Sequence, residues 1–211
     1  MDSNADLPSL EILSTRQGPV LFHWPMPANP GALCSFANAR AWQAFVLSLG
    51  IHPSLPEIVQ AKFRRAQKLY MFGWLDMDVL KSGELAALAA LELALRDRYI
   101  DKINAACVAA GKQPPRPSLG MLLKHVVRKD GLTNEQLPIY RRTGGNPVAR
   151  LFGEGKPSLA DIRNSLAHGD PFDDAPQSGL LEFVRDLINY AYRHWIAERS
   201  GVAATMDAGL R

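Results

Sequence analysis

Apolar residues recur at intervals of three and four along most of the chain, which is the pattern of helices that bury one face. The longest such run predicts a helix over residues 78–110. Shorter runs predict further helices over residues 38–49, 56–74, 118–129, 134–142, 159–169 and 178–199. No long stretch alternates with the period of a strand. The pattern therefore predicts an all-α fold, built as a helical bundle.

The first 37 residues depart from this pattern because they contain five prolines, at positions 8, 19, 25, 27 and 30. Only residues 20–22 read as extended chain, and they could belong to a short hairpin. We therefore expect residues 1–75 to form an irregular N-terminal arm followed by extra N-terminal helices. We expect the helical bundle over residues 76–200 and a flexible tail over residues 201–211.

The composition favours a soluble cytoplasmic protein. The N-terminus is acidic and lacks the basic start and apolar core of a signal peptide. The longest apolar stretch, residues 85–95, is interrupted by Glu92 and is too short to span a bilayer. Cys34 and Cys107 lie far apart in the sequence, so we expect no disulfide and a reducing compartment.

Positive charge is concentrated in one part of the chain. The whole sequence has a formal net charge of +3, but residues 112–163 contain ten Lys or Arg against four Asp or Glu. Uneven charge of this kind suits a polyanion such as RNA or DNA, although an ordinary solvated surface is an alternative explanation. The candidate RNA-binding residues are Arg141, Arg142, Arg150 and Lys156.

The sequence offers no metal or cofactor motif. The five histidines form no His-x-x-x-His pair, which argues against a zinc site. Gly155-Lys156 suggests a phosphate-binding loop, but the glycine required five positions earlier is Arg150. We therefore expect neither a metal nor a cofactor.

The segment 159–169 combines three strong polar side chains with a helix stop. Asn164 and His168 are four residues apart, so they share one helix face and can interact. Arg163 and His168 are five apart, about 140° around an ideal helix, so they do not converge on one atom within a single straight helix. Gly169 then ends the helix.

Two charges lie on apolar stripes and need partners. Arg163 lies beside the apolar edge formed by Leu159, Ile162 and Leu166, and Glu92 lies at the centre of the apolar stripe of the long helix. An unpaired charge in such a place is costly. The sequence therefore predicts that the two helices pack together and that Glu92 pairs with Arg163. Arg96, one turn along the same helix, is the alternative partner for Glu92.

This arrangement resembles a known family. Arg163-Asn164 followed by His168-Gly169, an Arg-x4-His pattern, resembles the signature of HEPN domains (higher eukaryote and prokaryote nucleotide-binding). The sequences Gly83-Glu84-Leu85-Ala86-Ala87 and Leu91-Glu92-Leu93-Ala94-Leu95-Arg96 resemble the first long helix of such domains. The resemblance covers residues 78–199. Some toxin members carry a tyrosine two residues after the histidine, where this chain has Asp170.

The resemblance implies a helical bundle that dimerises with its two Arg-x4-His helices facing each other. Many members are metal-independent endoribonucleases of toxin–antitoxin, phage-defence or CRISPR-associated systems. On this resemblance Arg163, Asn164 and His168 are the candidate catalytic residues, and Glu92 is a supporting residue. The implied partners are RNA, a second copy of the chain, and an antitoxin or other regulatory protein. The alternative is a catalytically silent module that binds nucleic acid, a nucleotide or a partner protein.

Elementary chemistry is compatible with RNA cleavage by these side chains. Without a metal, cleavage needs a base for the 2′-hydroxyl proton, an acid for the leaving oxygen and a cation for the phosphorane. Histidine suits proton transfer and arginine suits the phosphate. One chain offers one such histidine, so a two-fold dimer would provide the acid and the base together. The expected product ends in a 2′,3′-cyclic phosphate.

Overall fold

The computed structural model describes residues 18–169 and 175–208. Over these residues the fold is mostly helical, with one two-stranded hairpin at its N-terminal end. The strands are β1 (Val20–His23) and β2 (Leu33–Phe36). The helices are α1 (Ala39–Ser48), α2 (Glu57–Phe72), α3 (Val79–Ala109), α4 (Leu119–Arg128), α5 (Pro138–Thr143), α6 (Ala149–Phe152), α7 (Leu159–His168), α8 (Leu180–Ala191) and α9 (Arg193–Ala208), with a short 3-10 helix (Asn134–Gln136) before α5.

The long helix α3 is the centre of the fold. It contacts α2, α4, α7 and α8, so it buries residues on more than one face. The closest partner is α2, and the helices approach closely at Gly83. A Cβ atom at this position would lie 2.7 Å from Cδ2 of Tyr70, so a larger residue here would push the two helices apart.

The N-terminal hairpin packs into the same core as the helices. Its strands pair antiparallel, with Val20 opposite Phe36 and Phe22 opposite Cys34. The ring of Phe22 meets that of Trp42 edge-on, with centroids 5.6 Å apart. The indole Nε1 of the buried Trp24 donates to the carboxylate of Glu182 on α8 at 3.1 Å. The first part of the chain is thus tied to the C-terminal part by both apolar and polar contacts.

Two features correct the sequence-based picture. The fold is mostly helical but not all-α, because residues 20–36 form the hairpin that the extended piece at 20–22 only suggested. The helix expected over residues 178–199 is two helices, broken at Tyr192. The Tyr192 side chain is buried, and its hydroxyl donates to Asp97 of α3 at 2.5 Å, a tertiary contact that local pattern does not reveal.

Other boundaries agree with the predictions to within a few residues, including those of α2, α3, α4 and α7. The proposed domain division stays a prediction. Helix α9 continues to Ala208, within the region expected to be a flexible tail. Residues 1–17 of the N-terminal arm, Asp170 and residues 209–211 lie outside the described residues.

Candidate active site

Helix α7 is closed at both ends by local hydrogen bonds that its own sequence provides. At its start, the Asp161 N–H donates to Ser158 Oγ at 3.2 Å, and the Ser158 N–H donates to Asp161 Oδ2 at 3.1 Å. These bonds form a capping box. The Ser158 hydroxyl, which donates to Asp161 Oδ2 at 2.8 Å, and then the Ser158 N–H hold the pKa of Asp161 below its usual value. At the other end, Gly169 adopts the left-handed conformation that glycine tolerates best. Both signals fix the length of the helix that carries the motif.

Arg163 reaches the central helix and pairs with Glu92, as the sequence predicts. Its Nη2 lies 3.3 Å from Glu92 Oε2, and its Nη1 donates to Asn164 Oδ1, also at 3.3 Å. The arginine side chain is 37% exposed and the glutamate side chain 18% exposed. The predicted ion pair is therefore confirmed, but it lies at the edge of the core and not inside it.

The other two residues of the motif face solvent. Asn164 and His168 are both exposed, one turn apart on the outer surface of α7. The buried residues of α7, Leu159 and Ile162, hold the helix against the core. The structure therefore brings one guanidinium group, one amide and one imidazole together on a short, firmly anchored helix, with the last two open to a ligand.

The four candidate RNA-binding residues fall into two groups. Arg141 and Lys156 are exposed, and Arg141 lines an open cleft of about 480 Å³ that contains both basic and acidic residues. Arg142 instead donates to the Pro25 carbonyl and forms an ion pair with Glu182. A role in RNA binding stays a prediction for all four, and only the first two have side chains directed mainly to solvent.

Arg150 is also held within the protein. Its Nη2 donates to the side-chain oxygen of Gln177 at 3.1 Å, and burial lowers the pKa of its guanidinium group. The partner is neutral, so this contact orients the arginine without cancelling its charge.

Glu84 is an ionisable residue that sequence reasoning did not select. It is completely buried, one oxygen accepts a hydrogen bond from the Gln177 N–H, and the other has no partner among the described residues. Burial raises the pKa of Glu84 to about 7, against a contribution from Arg150 that lowers it. Glu84 lies four residues after Leu80 and four before Leu88, both buried, so the reasoning that selected Glu92 applies to it equally.

Comparisons of the chain with protein-family models, with curated proteins and with solved structures give no match. Within residues 18–169 and 175–208, no three side chains of His, Cys, Asp or Glu are grouped so that they could hold a metal ion. Over the same residues, no helix combines the length and the apolar character that crossing a membrane requires.

Proposed function

We propose that this protein is a HEPN-type endoribonuclease that cleaves RNA without a metal ion, with Arg163, Asn164 and His168 as its catalytic residues. The observation that carries the proposal is the geometry of α7. Arg163 is anchored by Glu92, while Asn164 and His168 are exposed on the last two turns of the same capped helix.

The proposed reaction is an intramolecular transesterification. A histidine accepts the proton of the 2′-hydroxyl group, and the 2′-oxygen attacks the adjacent phosphorus. The bond from phosphorus to the 5′-oxygen breaks, and a second histidine donates a proton to that oxygen. The products are a 2′,3′-cyclic phosphate and a 5′-hydroxyl group. Arg163 stabilises the negative charge of the phosphorane, and Asn164 orients His168 or the phosphate.

A second copy of the chain would supply the second histidine. In a two-fold dimer with α7 facing its symmetry mate, each chain contributes one His168 to a shared site. The exposed face of α7 is compatible with this arrangement. A dimer also removes the angular conflict within one helix, because the arginine of one chain and the histidine of its partner can approach the same phosphate.

The charge of the surface supports RNA as the substrate. Arg141 and Lys156 are exposed and lie in the part of the chain with the strongest positive excess, so we assign them to contacts with the RNA backbone. A role as a toxin or phage-defence effector, controlled by an antitoxin or other regulatory protein, is part of the same proposal.

One observation favours a second candidate, a catalytically silent module that binds nucleic acid, a nucleotide or a partner protein. Within one chain, the Arg163 guanidinium group already contacts Glu92 and Asn164. Because Glu92 is an acid, the charge of Arg163 is compensated without a bound phosphate. An arginine in this state can serve to hold α7 in place.

Incubation of the purified protein with total RNA in EDTA separates the two candidates. We expect the wild-type protein to cleave RNA, His168→Ala and Arg163→Ala to be inactive, and Asn164→Ala to retain reduced activity because orientation is easier to replace than proton transfer. Circular dichroism of each variant controls for folding. Intact RNA with the wild-type protein, together with altered partner binding by His168→Ala, would support the silent module instead.

A further inference from the structure

A cleft separate from α7 lies where the N-terminal arm meets the start of α8. Its volume is about 390 Å³, within the range of about 300–1,000 Å³ that small-molecule sites occupy. The turn after α5 forms one wall and residues 177–180 form another. None of the lining residues belongs to α7, so the cleft is distinct from the candidate active site.

One wall of the cleft carries a cation whose charge is only partly compensated. Arg150 lines the cleft, and its direct hydrogen-bond partner there is the neutral side chain of Gln177. The acid that acts on it is Glu84, which accepts a hydrogen bond from the Gln177 N–H. Because burial raises the pKa of Glu84 to about 7, a large share of the molecules at neutral pH hold this acid in its uncharged form. When its neighbouring acid is uncharged, a partly buried guanidinium group is stabilised by an anion.

The backbone beside Arg150 is open to close approach. Gly144 and Gly145 line the cleft with φ values of +74° and +83°, which disfavour other residues. A Cβ atom added to either glycine would meet nothing within 4 Å, so the main chain here is uncovered. The Gly144 N–H donates to the Tyr140 carbonyl at 2.7 Å, which leaves the Gly145 backbone as the part that can contact a ligand. Ser178 also lines the cleft, and its Oγ has no hydrogen-bond partner among the described residues. That oxygen is buried, so it lies beneath the surface of the cleft.

Part of the cleft lining is apolar. Ile139, Leu180 and Phe183 provide aliphatic and aromatic surface, and Pro25 adds a ring from the N-terminal arm. Gly179 is needed for this closure, because a Cβ atom there would lie 2.7 Å from Cγ of Pro25. The cleft lining thus combines a charged group with apolar surface.

We propose that this cleft binds a small organic anion with an apolar body, whose charged group contacts Arg150 and the Gly145 backbone and whose apolar body packs on Ile139 and Phe183. The charged group can be a carboxylate, a sulfonate or a phosphate, because the guanidinium group recognises all three. The ligand does not need to be RNA, and its binding does not depend on the activity of α7.

The first test uses two dyes with the same rings. 8-Anilinonaphthalene-1-sulfonate carries a negative charge, whereas N-phenyl-1-naphthylamine is neutral. We expect the sulfonate to bind the full-length folded protein with one-to-one stoichiometry, about ten-fold more tightly than the neutral dye, since hydrogen bonds to charged groups are the stronger ones. Fluorescence titration gives the affinities. In nitrogen-15 NMR spectra, we expect the amide signals of Gly144, Gly145 and Gly179 to shift on binding.

Variants then identify the cation. Arg150→Gln should weaken sulfonate binding about ten-fold and leave binding of the neutral dye unchanged, while Arg150→Lys should retain most of the affinity. Lys124→Gln, which removes an exposed positive charge on α4, is the matched control and should have no effect. Equal affinity for both dyes, or NMR shifts confined to residues outside the cleft, would overturn the proposal. These two measurements use the wild-type protein, so they decide the question even if Arg150→Gln does not fold.

Discussion

The ion pair between Glu92 and Arg163 links the motif helix α7 to the central helix α3, and its strength can be measured. We consider a double-mutant cycle of Glu92→Gln and Arg163→Met. Glutamine keeps the shape of glutamate without its charge, and methionine keeps much of the apolar stem of arginine. The cycle isolates the pairwise term because effects shared by the single variants cancel.

The structure sets the expected magnitude. Exposed ion pairs contribute about 0.2–1 kcal/mol, whereas breaking a fully buried pair costs about 3–5 kcal/mol. The Nη2 and Oε2 atoms lie 3.3 Å apart, with the side chains 37% and 18% exposed, so this pair belongs near the upper end of the exposed class. We therefore expect a coupling free energy of about 1 kcal/mol, which corresponds to about a five-fold change in the folding equilibrium.

Urea unfolding, followed by circular dichroism, gives the free energy of unfolding for the four proteins of the cycle. Because the pair is partly exposed, the coupling should decrease in high salt. A coupling of less than about 0.3 kcal/mol, within the range found for independent sites, would refute the reasoning. It would mean that the ion pair adds no measurable stability to the packing of α7 against the core.

Three further predictions concern the buried acids and the basic surface. The pKa of Glu84 is raised from 4.5 to about 7, so its contribution to stability should be lost as pH rises from about 4.5 to about 7. In urea unfolding, the stability of Glu84→Gln relative to wild type should therefore increase by about 3 kcal/mol from the lower to the upper pH. An equal difference at both ends would contradict this. Glu182→Ala should lower the free energy of unfolding by about 3–5 kcal/mol because two arginines and an indole lose their acceptor, whereas the exposed Glu154→Ala should change it by less than about 0.5 kcal/mol. Replacing both Arg141 and Lys156 by Gln should reduce the slope of log affinity against log salt for single-stranded RNA by about 1.4, and an unchanged slope would exclude both as phosphate contacts.

Helix boundaries and the Glu92–Arg163 ion pair could be predicted from short stretches of the sequence. The end of α7 was predictable from Gly169. The Ser158–Asp161 capping box at its start is an equally local signal, on which the predicted start of the helix did not rest. The pairing of Glu92 with Arg163 was also predictable, because a charge on an apolar stripe requires a partner and few partners were available.

Features that depend on distant contacts were not predictable in this way. No glycine or proline marks the break at Tyr192 in the sequence. The Tyr192 hydroxyl donates a hydrogen bond to Asp97 of another helix, and that contact depends on the tertiary structure. Arg142 reads from the sequence as a free positive charge, but the fold brings it to Pro25 and Glu182, which are far from it in the chain. The number of basic residues can be counted in the sequence, but which of them face solvent depends on the tertiary structure.

The chemistry of the cleaved RNA ends tests the central claim most directly. A defined RNA oligonucleotide would be incubated with the protein in EDTA, and its fragments identified by mass spectrometry, alongside His168→Ala and an oligonucleotide with a 2′-deoxy sugar at the cleavage site. The account predicts fragments ending in a 2′,3′-cyclic phosphate for the wild-type protein, and none for the variant or the deoxy substrate. Fragments with 3′-hydroxyl ends, or equal cleavage by His168→Ala, would contradict it.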